Sequence, residues 1–483
     1  MASDSIRLSA DPGLWTDRQG TAVFTRLAFA GVDMKPYWDR LVARITDDAA
    51  GAGLGMDLSI ISQLMGDQKT GLAIQADSLK YQQLFRSPCA VPAPKLRVLA
   101  LAAQMDIGGN TPIEFLLEGS DVELITLYVV PGLPLPSPLP EHDVAIVLVP
   151  DDARSRETLA VIDRLAPLWP RPLLNMPKSI LGLDRHTLCG LLAPVPGLEI
   201  PLTERVSRGR LEQLAAGACT LQSVLSDAEF PVIIRPIGSH AGLGLERLGN
   251  ADAIAAYLAG RPEDTFFLSR YVDYASADGL FRKYRLILID GKAYACHMAI
   301  SDQWKIWYLN ADMTLNEANR AEEARFMAMF DEDFALRHAD ALREMARRLG
   351  TEYCTIDCAE TKDAKLLIFE ADNTAIVHDM DPLLPALPRS LAQDAAPQAP
   401  FYPDGYAGPV GASLKAGRRA ALCQRRCRLS RLRAGTADGA SRLRLDGGRP
   451  FGLAHAHPGL AADPLRSQAI ARPAGIPPLR ADC

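Results

Sequence analysis

The chain has 483 residues, of which 48% are hydrophobic and 23% are charged, a composition typical of globular proteins and long enough for roughly two to four domains. Its net charge of −6 is unevenly distributed, because the segment after Pro382 holds 14 Arg and 1 Lys against 6 Asp and no Glu, which makes that segment +9 and the rest −15. An acidic body argues against nucleic acid as the main partner, since phosphate binding requires a basic face.

Cysteine spacing and hydropathy indicate the compartment. The nine cysteines lack the paired spacing of a metal site, so we interpret them as reduced thiols. The N-terminus has no basic segment followed by an apolar one, and no run of about 18 apolar residues occurs. We therefore expect a cytoplasmic protein that acts on small molecules and has no membrane partner.

The first ninety residues divide into an arm and a helical module. Residues 1–22 are polar and irregular, which predicts a loose arm. Between residues 23 and 90, apolar residues recur at helical spacing, as in "LGMDLSIISQLMG" and "KTGLAIQADSLKYQQLF". A short turn at residues 66–68 joins two helices into a hairpin that resembles a tetratricopeptide-like pair, although the repeat is not sustained. Such a module suits a peptide or protein partner.

Residues 93–180 change to short apolar runs separated by helices. The runs "LRVLALAA", "VELITLYVV" and "HDVAIVLVP" are typical of strands buried on both faces, which predicts a small α/β domain with a parallel sheet. Residues 181–382 mix antiparallel hairpins with helices. Residues 383–483 are rich in Ala, Arg, Gly and Pro, show neither period, and are predicted to be disordered.

The first motif with chemical potential is "FPVIIRPIGSHAGLGLERL". A β-branched strand delivers Arg235 and then opens into a loop with Gly238, Gly242 and Gly244. Glycines lack Cβ, so their backbone N–H groups can approach phosphate oxygens. The spacing fits neither a Walker loop nor a dinucleotide fingerprint. A flexible surface hairpin is an equally good interpretation of this motif by itself.

The second motif contains a possible nucleotide hinge. An apolar strand runs into Arg270, Tyr271, Val272 and Asp273. This segment offers backbone groups for a base edge, an apolar wall, and a carboxylate for ribose hydroxyls.

A predicted hairpin follows, turning at Asp290 and Gly291, which form the strongest short hairpin signal. Its first strand places Lys283 and Arg285 on one face. The commoner meaning of such a pair is an amphipathic hairpin with a solvated basic face.

The third motif, "CTIDCAETKDAKLLIFEADN", is the most informative. A turn near Asp363 puts Asp357 opposite Glu370, while Asp372 shares a face with Glu370. Three crowded carboxylates would repel one another. Bound Mg²⁺ would compensate them, because it prefers hard oxygen ligands and nucleotide phosphates. Acidic residues on a wet sheet face are the alternative.

The order of these motifs resembles that of an ATP-grasp ligase domain. More closely, "LLNMP", "PVIIRPIGSHAGLGL", "FRKYRLILIDGKAYACHMAIS" and "FEADN" are similar to bacterial ATP-grasp proteins with tetratricopeptide-like repeats. The resemblance covers about residues 25–381. It implies an α/β (α+β) fold in which a helical module and a parallel-sheet pre-ATP-grasp domain, residues 93–180, precede the ATP-grasp domain, residues 181–382.

The resemblance also implies nucleotide contacts. Arg235 would stand where the family usually has a phosphate-binding Lys, a change that keeps the charge but not the shape. The loop with Gly238, Ser239, Gly242 and Gly244 would close over the phosphates.

The family's adenine hinge would correspond to Arg270, Tyr271 and Val272, with Asp273 near the ribose. Lys283 would assist in nucleotide binding. The catalytic role falls to Arg285, which would contact the γ-phosphate or the acyl-phosphate.

Asp357, Glu370 and Asp372 would hold the metal ions. Asp372 departs from the family pattern, which has Asn there, although Asn373 follows directly. Because Asp can also ligate magnesium, activity remains expected.

Some further residues fit either packing or substrate contact. Asn175, Pro177 and Arg185 lie where the family enters its ATP-binding domain and are interpreted as structural or functional. The others are His297, His378, Trp304 and Trp307, for which packing is the commoner role.

The resulting hypothesis is an ATP- and Mg²⁺-dependent ligase that activates a carboxylate as an acyl-phosphate for attack by an amine or thiol. The alternative is a non-catalytic ATP-binding scaffold whose helical module binds a protein partner.

Overall fold

The computed structural model describes residues 6–377, apart from 47, 240–241, 307–310, 312, 314–315 and 376. Within this range the chain is a mixed α/β protein built on several sheets, as the sequence predicts. The predictions for Trp307, His378 and residues 383–483 lie outside the described residues. None of the described helices is both long and apolar enough to cross a membrane.

The N-terminal part contains two short strands followed by helices. Its elements are β1 (Leu8–Ser9), a 3-10 turn (Pro12–Leu14), β2 (Thr16–Asp17), α1 (Thr21–Phe29), α2 (Lys35–Val42), α3 (Ala49–Leu64), α4 (Gln68–Tyr81) and β3 (Leu84–Arg86). The turn between α3 and α4 is the predicted one, with Gly66 at φ 88° and Asp67 capping α4 through the N–H of Thr70 at 3.0 Å. The tetratricopeptide-like character stays a prediction.

The segment before α1 differs from the expected loose arm. β1 pairs with residues 139–140, and β2 pairs with β3. Arg18 is buried and donates to Glu114 at 2.6 Å and to Tyr128 at 3.0 Å. The arm is therefore fixed from residue 6 onward. Its order comes from partners about a hundred residues away, which a polar, aperiodic segment does not reveal.

A six-stranded sheet forms the core of the next part. Its further elements are β4 (Leu96–Ala102), α5 (Ile113–Leu117), β5 (Val122–Tyr128), β6 (Leu139–Pro140), β7 (Val144–Val147), α6 (Arg156–Leu165), β8 (Leu173–Leu174) and α7 (Pro177–Leu181). The strand order is β2-β3-β5-β4-β7-β8. As predicted, β5, β4, β7 and β8 run parallel, because helices or loops cross between them and bury both faces.

The remaining part holds two more sheets. Its elements are α8 (Arg185–Leu192), β9 (Leu198–Glu199), β10 (Thr203–Ser207), α9 (Arg208–Ala215), a 3-10 turn (Leu221–Ser223), β11 (Val232–Pro236), β12 (Glu246–Leu248), α10 (Ala251–Ala259), β13 (Thr265–Arg270), β14 (Phe281–Ile289), β15 (Lys292–Ser301), α11 (Glu317–Ala328), α12 (Phe334–Arg337), α13 (Ala339–Leu349), β16 (Tyr353–Glu360) and β17 (Leu366–Asp372).

These strands divide into an antiparallel sheet, β10-β13-β11-β12, and a five-stranded sheet, β15-β14-β16-β17-β9. The four-stranded sheet shares a core with α9 and α10, and the five-stranded sheet shares one with α8 and α13. The predicted turn between β14 and β15 is confirmed, with Asp290 and Gly291 both at positive φ. The glycine-rich motif therefore belongs to one sheet, and both the basic hairpin and the acidic hairpin belong to the other.

Candidate functional site

The best-defined contact of the candidate site joins Asp357 on β16 to two cations on β14. Arg285 lies directly opposite Asp357 in the strand register and donates to it at 2.7 and 2.9 Å, and Lys283 contacts it at 2.6 Å. The Asp357 side chain is 2% exposed. Burial alone would raise the pKa of Asp357, but Lys283 and Arg285 hold that pKa well below its usual range.

A second ion pair joins β17 to the start of α8. Asp357 is opposite Glu370 in the register of β16 and β17, as predicted. Glu370 forms an ion pair with Arg185. Burial lowers the pKa of Arg185, while Asp372, Asp184 and Asp357 act in the opposite direction. Arg185 therefore belongs to the candidate site rather than only to the domain entrance. No spacing pattern in the sequence signals this, because its partner lies 185 residues away.

Asp372, the third predicted metal ligand, is engaged elsewhere. It is opposite Thr355 in the register, and its Oδ1 accepts the N–H and the hydroxyl of Thr374 at 2.7 and 2.8 Å. Within the described part of the chain, no three His, Cys, Asp or Glu side chains form a group that could hold a metal ion. The charge compensation that the sequence argument assigned to Mg²⁺ is supplied here by Lys283, Arg285 and Arg185.

The donor chemistry at the paired strands nevertheless fits Mg²⁺. Asp357 and Glu370 are cross-strand partners, and both offer hard carboxylate oxygens of the kind that Mg²⁺ binds together with substrate phosphates. Both form ion pairs with cations of the same chain. A metal at this point would take over carboxylates that the protein now neutralises with its own side chains.

The glycine-rich loop presents a cation with a different environment. Arg235, at the end of β11, donates to the hydroxyl of Ser239 at 3.1 Å and also to its carbonyl oxygen. Among the residues that the structure describes, no carboxylate forms an ion pair with Arg235. Burial, together with the nearby Arg185, lowers the pKa of Arg235 to about 9. Two neighbouring cations, one of them without a carboxylate, favour an anion at this place.

The loop itself forms the connection between β11 and β12. Gly238, Gly242 and Gly244 all have positive φ, from 67° to 77°, which favours glycine. A Cβ on Gly244 would also meet the ring of Pro236 at 2.7 Å. Lys305, on the segment after β15, donates to the carbonyl of Leu245 at 3.0 Å. A cation on the segment that follows β15 of the five-stranded sheet thus contacts the glycine-rich loop.

The structure places the predicted hinge directly after β13. Arg270 forms ion pairs with Glu199 and, at 3.2 Å, with Asp227. Asp273 pairs with Lys362 at 2.6 Å, which lowers its pKa. The side chain of Arg270 is thus occupied by carboxylates.

The two residues between them have different environments. The Tyr271 N–H donates to the carbonyl of Pro231 at 3.2 Å. Val272 packs against an apolar cluster with Tyr274 and Leu367. Val272 is therefore part of an apolar cluster, and its role as the apolar wall of a nucleotide hinge stays a prediction.

Two aromatic rings and a cation lie beside the hinge. Tyr271 and Trp304 meet edge to face with ring centroids 5.9 Å apart. The guanidinium of Arg247 lies 4.9 Å from the Tyr271 ring centroid and 6.0 Å from that of Trp304. Sequence reasoning missed Arg247, although its position on β12, opposite Ile233, follows from the hairpin register. Trp304 therefore lies at the site rather than in a separate core.

His297 lies on β15 opposite Arg285. Burial and the neighbouring Arg285 lower its pKa to about 3, so the imidazole is neutral at ordinary pH. A neutral imidazole leaves the charge balance of the site to Lys283, Arg285 and the carboxylates.

Comparisons with known proteins give matches among solved structures. No protein-family model matches the chain, and no curated protein matches it. It is similar to a RimK-domain ATP-grasp protein from Sphaerobacter thermophilus DSM 20745, with 18% identity and a TM-score of 0.33 over 58% of this chain and 92% of that chain. It is also similar to D-alanine–D-alanine ligase from Bacillus anthracis complexed with ATP, with 14% identity and a TM-score of 0.34 over 58% and 86% of the two chains. A third match is the ATP-grasp ligase PsnB complexed with the precursor peptide PsnA2 and AMPPNP, with 11% identity and a TM-score of 0.34 over 59% and 91%.

Proposed function

We propose that the chain is an ATP-grasp ligase that uses ATP and Mg²⁺ to activate a carboxylate as an acyl-phosphate for attack by an amine or thiol. The observation that carries this proposal is Arg235, a partly buried cation with no carboxylate partner among the described residues, beside a second cation, Arg185. A site of this kind favours a polyanion such as a triphosphate.

The other side of the site supplies the groups that phosphoryl transfer needs. In this reaction a substrate carboxylate oxygen attacks the γ-phosphorus and ADP leaves, so negative charge on the transferring group must be balanced. Lys283 and Arg285 are the candidate cations for this role. The amine or thiol then attacks the acyl carbon, loses its proton, and displaces phosphate.

Asp357 and Glu370 would hold Mg²⁺, which would supply charge neutralisation at the phosphates. The three cations that now pair with these carboxylates would then be available to phosphate oxygens. Asp372 stays a predicted ligand, since its Oδ1 is engaged by Thr374 while Oδ2 has no role in that contact.

The proposed nucleotide hinge follows from the placement of residues 270–273. The apolar side of Val272 and the ring pair of Tyr271 and Trp304 suit an adenine. The carboxylate of Asp273 suits ribose hydroxyls. Acceptor recognition by the helical module, as a peptide or protein, belongs to the same proposal.

One observation favours the second candidate, a non-catalytic ATP-binding scaffold. Asp357 and Glu370 are already neutralised by side chains of the protein. A chain that keeps these pairs would bind nucleotide through Arg235 without assembling a metal site. ADP formation distinguishes the two candidates, because only the ligase produces it.

The test measures ADP and phosphate release with a broad panel of acids and amines. We expect acid-dependent release by the natural protein and none above background for Glu370→Ala, with an unchanged far-UV circular dichroism spectrum. Glu212→Ala, on an exposed face of α9, is the matched control and should retain turnover. Nucleotide binding without ADP across the whole panel would support the scaffold, and unchanged turnover in Glu370→Ala would exclude the metal assignment.

A further inference from the structure

A buried side-chain amide directly follows the strand that carries Glu370 and contacts residues beside the six-stranded sheet. Asn373 is 2% exposed. Its Nδ2 lies within hydrogen-bonding distance of three acceptors, the hydroxyl of Thr111 at 3.3 Å and the carbonyls of Leu148 and Val149 at 3.4 and 3.3 Å. A buried donor with only oxygen acceptors around it is satisfied in this one location.

These three acceptors mark a special place in the parallel sheet. The parallel strands have the order β5-β4-β7-β8, so the chain moves to one side of β4 and then returns to the other. The order therefore reverses between β4 and β7. In open α/β sheets, the crevice outside the carboxyl ends of the strands at such a switch point is the usual ligand site. Thr111 follows β4, and Leu148 and Val149 follow β7 directly.

A second buried asparagine holds the other strand of the same hairpin, at the same open end. Asn175 directly follows β8 and is fully buried. Its side chain accepts from the N–H groups of Glu352 and Tyr353, both at 2.9 Å, and donates to the carbonyl of Tyr353 at 2.9 Å. The start of β16 and the end of β17 are thus both bound to the carboxyl edge of the parallel sheet.

We infer that Asn373 is a positioning residue that fills the switch-point crevice of the six-stranded sheet and thereby fixes the hairpin of β16 and β17. The parallel sheet then holds the hairpin at this crevice and binds no ligand of its own there. Asp357 and Glu370 are the carboxylates whose separation the hairpin sets. The metal-related part of this inference rests on the proposed function, while the docking contact stands without it.

The test compares Asn373→Leu with Asn250→Ala in the full chain. Leucine keeps the volume of Asn373 and removes its donor. Asn250 caps α10 by accepting from the N–H of Ala253 at 2.9 Å, so its loss destabilises the protein away from the hairpin. Two quantities are measured: hydrogen exchange of the amides of residues 366–372, and the Mg²⁺ concentration that gives half-maximal binding of AMPPNP. Asn373→Ser, which retains one donor, replaces the leucine variant if that variant does not fold.

We expect Asn373→Leu to accelerate exchange in β17 and to raise the half-saturating Mg²⁺ concentration about tenfold, the effect typical of residues that orient metal ligands. Asn250→Ala should leave both quantities unchanged. Unchanged exchange in Asn373→Leu would overturn the docking contact. Faster exchange with an unchanged Mg²⁺ requirement would overturn the positioning role. If the natural protein binds no AMPPNP at any Mg²⁺ concentration, the proposed function fails, while faster exchange in Asn373→Leu would still support the docking contact.

Discussion

The two sides of the candidate site balance their charges in different ways. On the acidic hairpin, the carboxylates of Asp357 and Glu370 each have a cationic partner from the same chain. At the glycine-rich loop, Arg235 has a hydroxyl and a carbonyl as partners and no carboxylate among the described residues. One side is neutralised internally, and the other carries an uncompensated cation.

This difference indicates which part of a metal–nucleotide complex each side is prepared for. An uncompensated cation attracts phosphate without breaking any ion pair. A neutralised carboxylate binds a metal only when the cations paired with it bind other anions. Nucleotide phosphates would be such anions. We therefore expect nucleotide binding and metal binding to depend on each other, and the substitutions below examine the comparison from its largest effect to its smallest.

The largest effect is expected for Asp357→Asn. This change leaves Lys283 and Arg285 buried without their shared carboxylate, and breaking a buried ion pair in this way costs about 3 to 5 kcal/mol. The free energy of unfolding, measured in urea at pH 7, should fall by that amount. Asp278→Asn, which removes an exposed partner of Arg282, is the matched control and should cost less than about 1 kcal/mol.

The pH dependence of the same variant gives a second measurement. The pKa of Asp357 is held below its usual range in the folded protein, so its ionised form contributes stability above about pH 4, and this contribution is lost as the pH falls. The gap in unfolding free energy between the natural protein and Asp357→Asn should therefore narrow below about pH 4. A gap that stays constant down to pH 2.5 would contradict the buried pairing.

In contrast to Asp357→Asn, Arg235→Met should not destabilise the protein. Methionine removes a desolvated charge that has no carboxylate partner among the described residues, so the nucleotide-free protein should be as stable as the natural one or more stable by up to about 1 kcal/mol. ATP affinity should fall about 10- to 100-fold, as expected for losing one charge-assisted hydrogen bond to phosphate. Thermal unfolding with and without ATP reports both effects.

The control for this variant is Arg210→Met, on α9 of the same sheet domain, where the guanidinium contacts Gln213 and Ser223. It should change ATP affinity less than twofold. Should Arg235→Met instead destabilise the nucleotide-free protein strongly, Arg235 is a structural residue and the contrast between the two sides disappears.

The sequence predicts the local geometry of the site better than its long-range contacts. The turn near Asp363 could be located from the sequence, but a register shift between Asp357 and Cys358, and not the turn by itself, places Asp357 opposite Glu370. The β14–β15 turn likewise follows from Asp290 and Gly291. Both turns depend on residues that are close in the chain, where strand alternation and turn chemistry are sufficient, whereas the register shift does not follow from them.

The contacts that the sequence did not reveal join distant segments. Arg185 reaches Glu370, and Arg18 reaches Glu114, through the packing of separate elements. Asn373 directly follows Asp372, and strand alternation turns its side chain to the opposite face, where it meets Thr111. Asp372 shares a face with Glu370, whereas the next residue, Asn373, faces the six-stranded sheet. Only the tertiary structure shows what lies on that second face.

The smallest effects concern the exposed pair of Asp273 and Lys362, which has the same chemistry as the buried pair of Asp357 and Lys283. Its side chains are 48% and 64% exposed, so solvent screens the attraction, and Lys362→Ala should lower the free energy of unfolding by less than about 0.5 kcal/mol.

Asp273→Asn should be equally mild for stability. If Asp273 binds the ribose, however, this variant should weaken ATP binding about fivefold without weakening the binding of 2′,3′-dideoxy-ATP. The dideoxy nucleotide lacks the hydroxyls that would donate hydrogen bonds to the carboxylate. Calorimetric titration of both nucleotides, with Lys362→Ala as the control that removes the partner but keeps the carboxylate, gives the two affinities. An equal loss for both nucleotides would assign Asp273 to general electrostatics, and no loss for either would remove it from the nucleotide site.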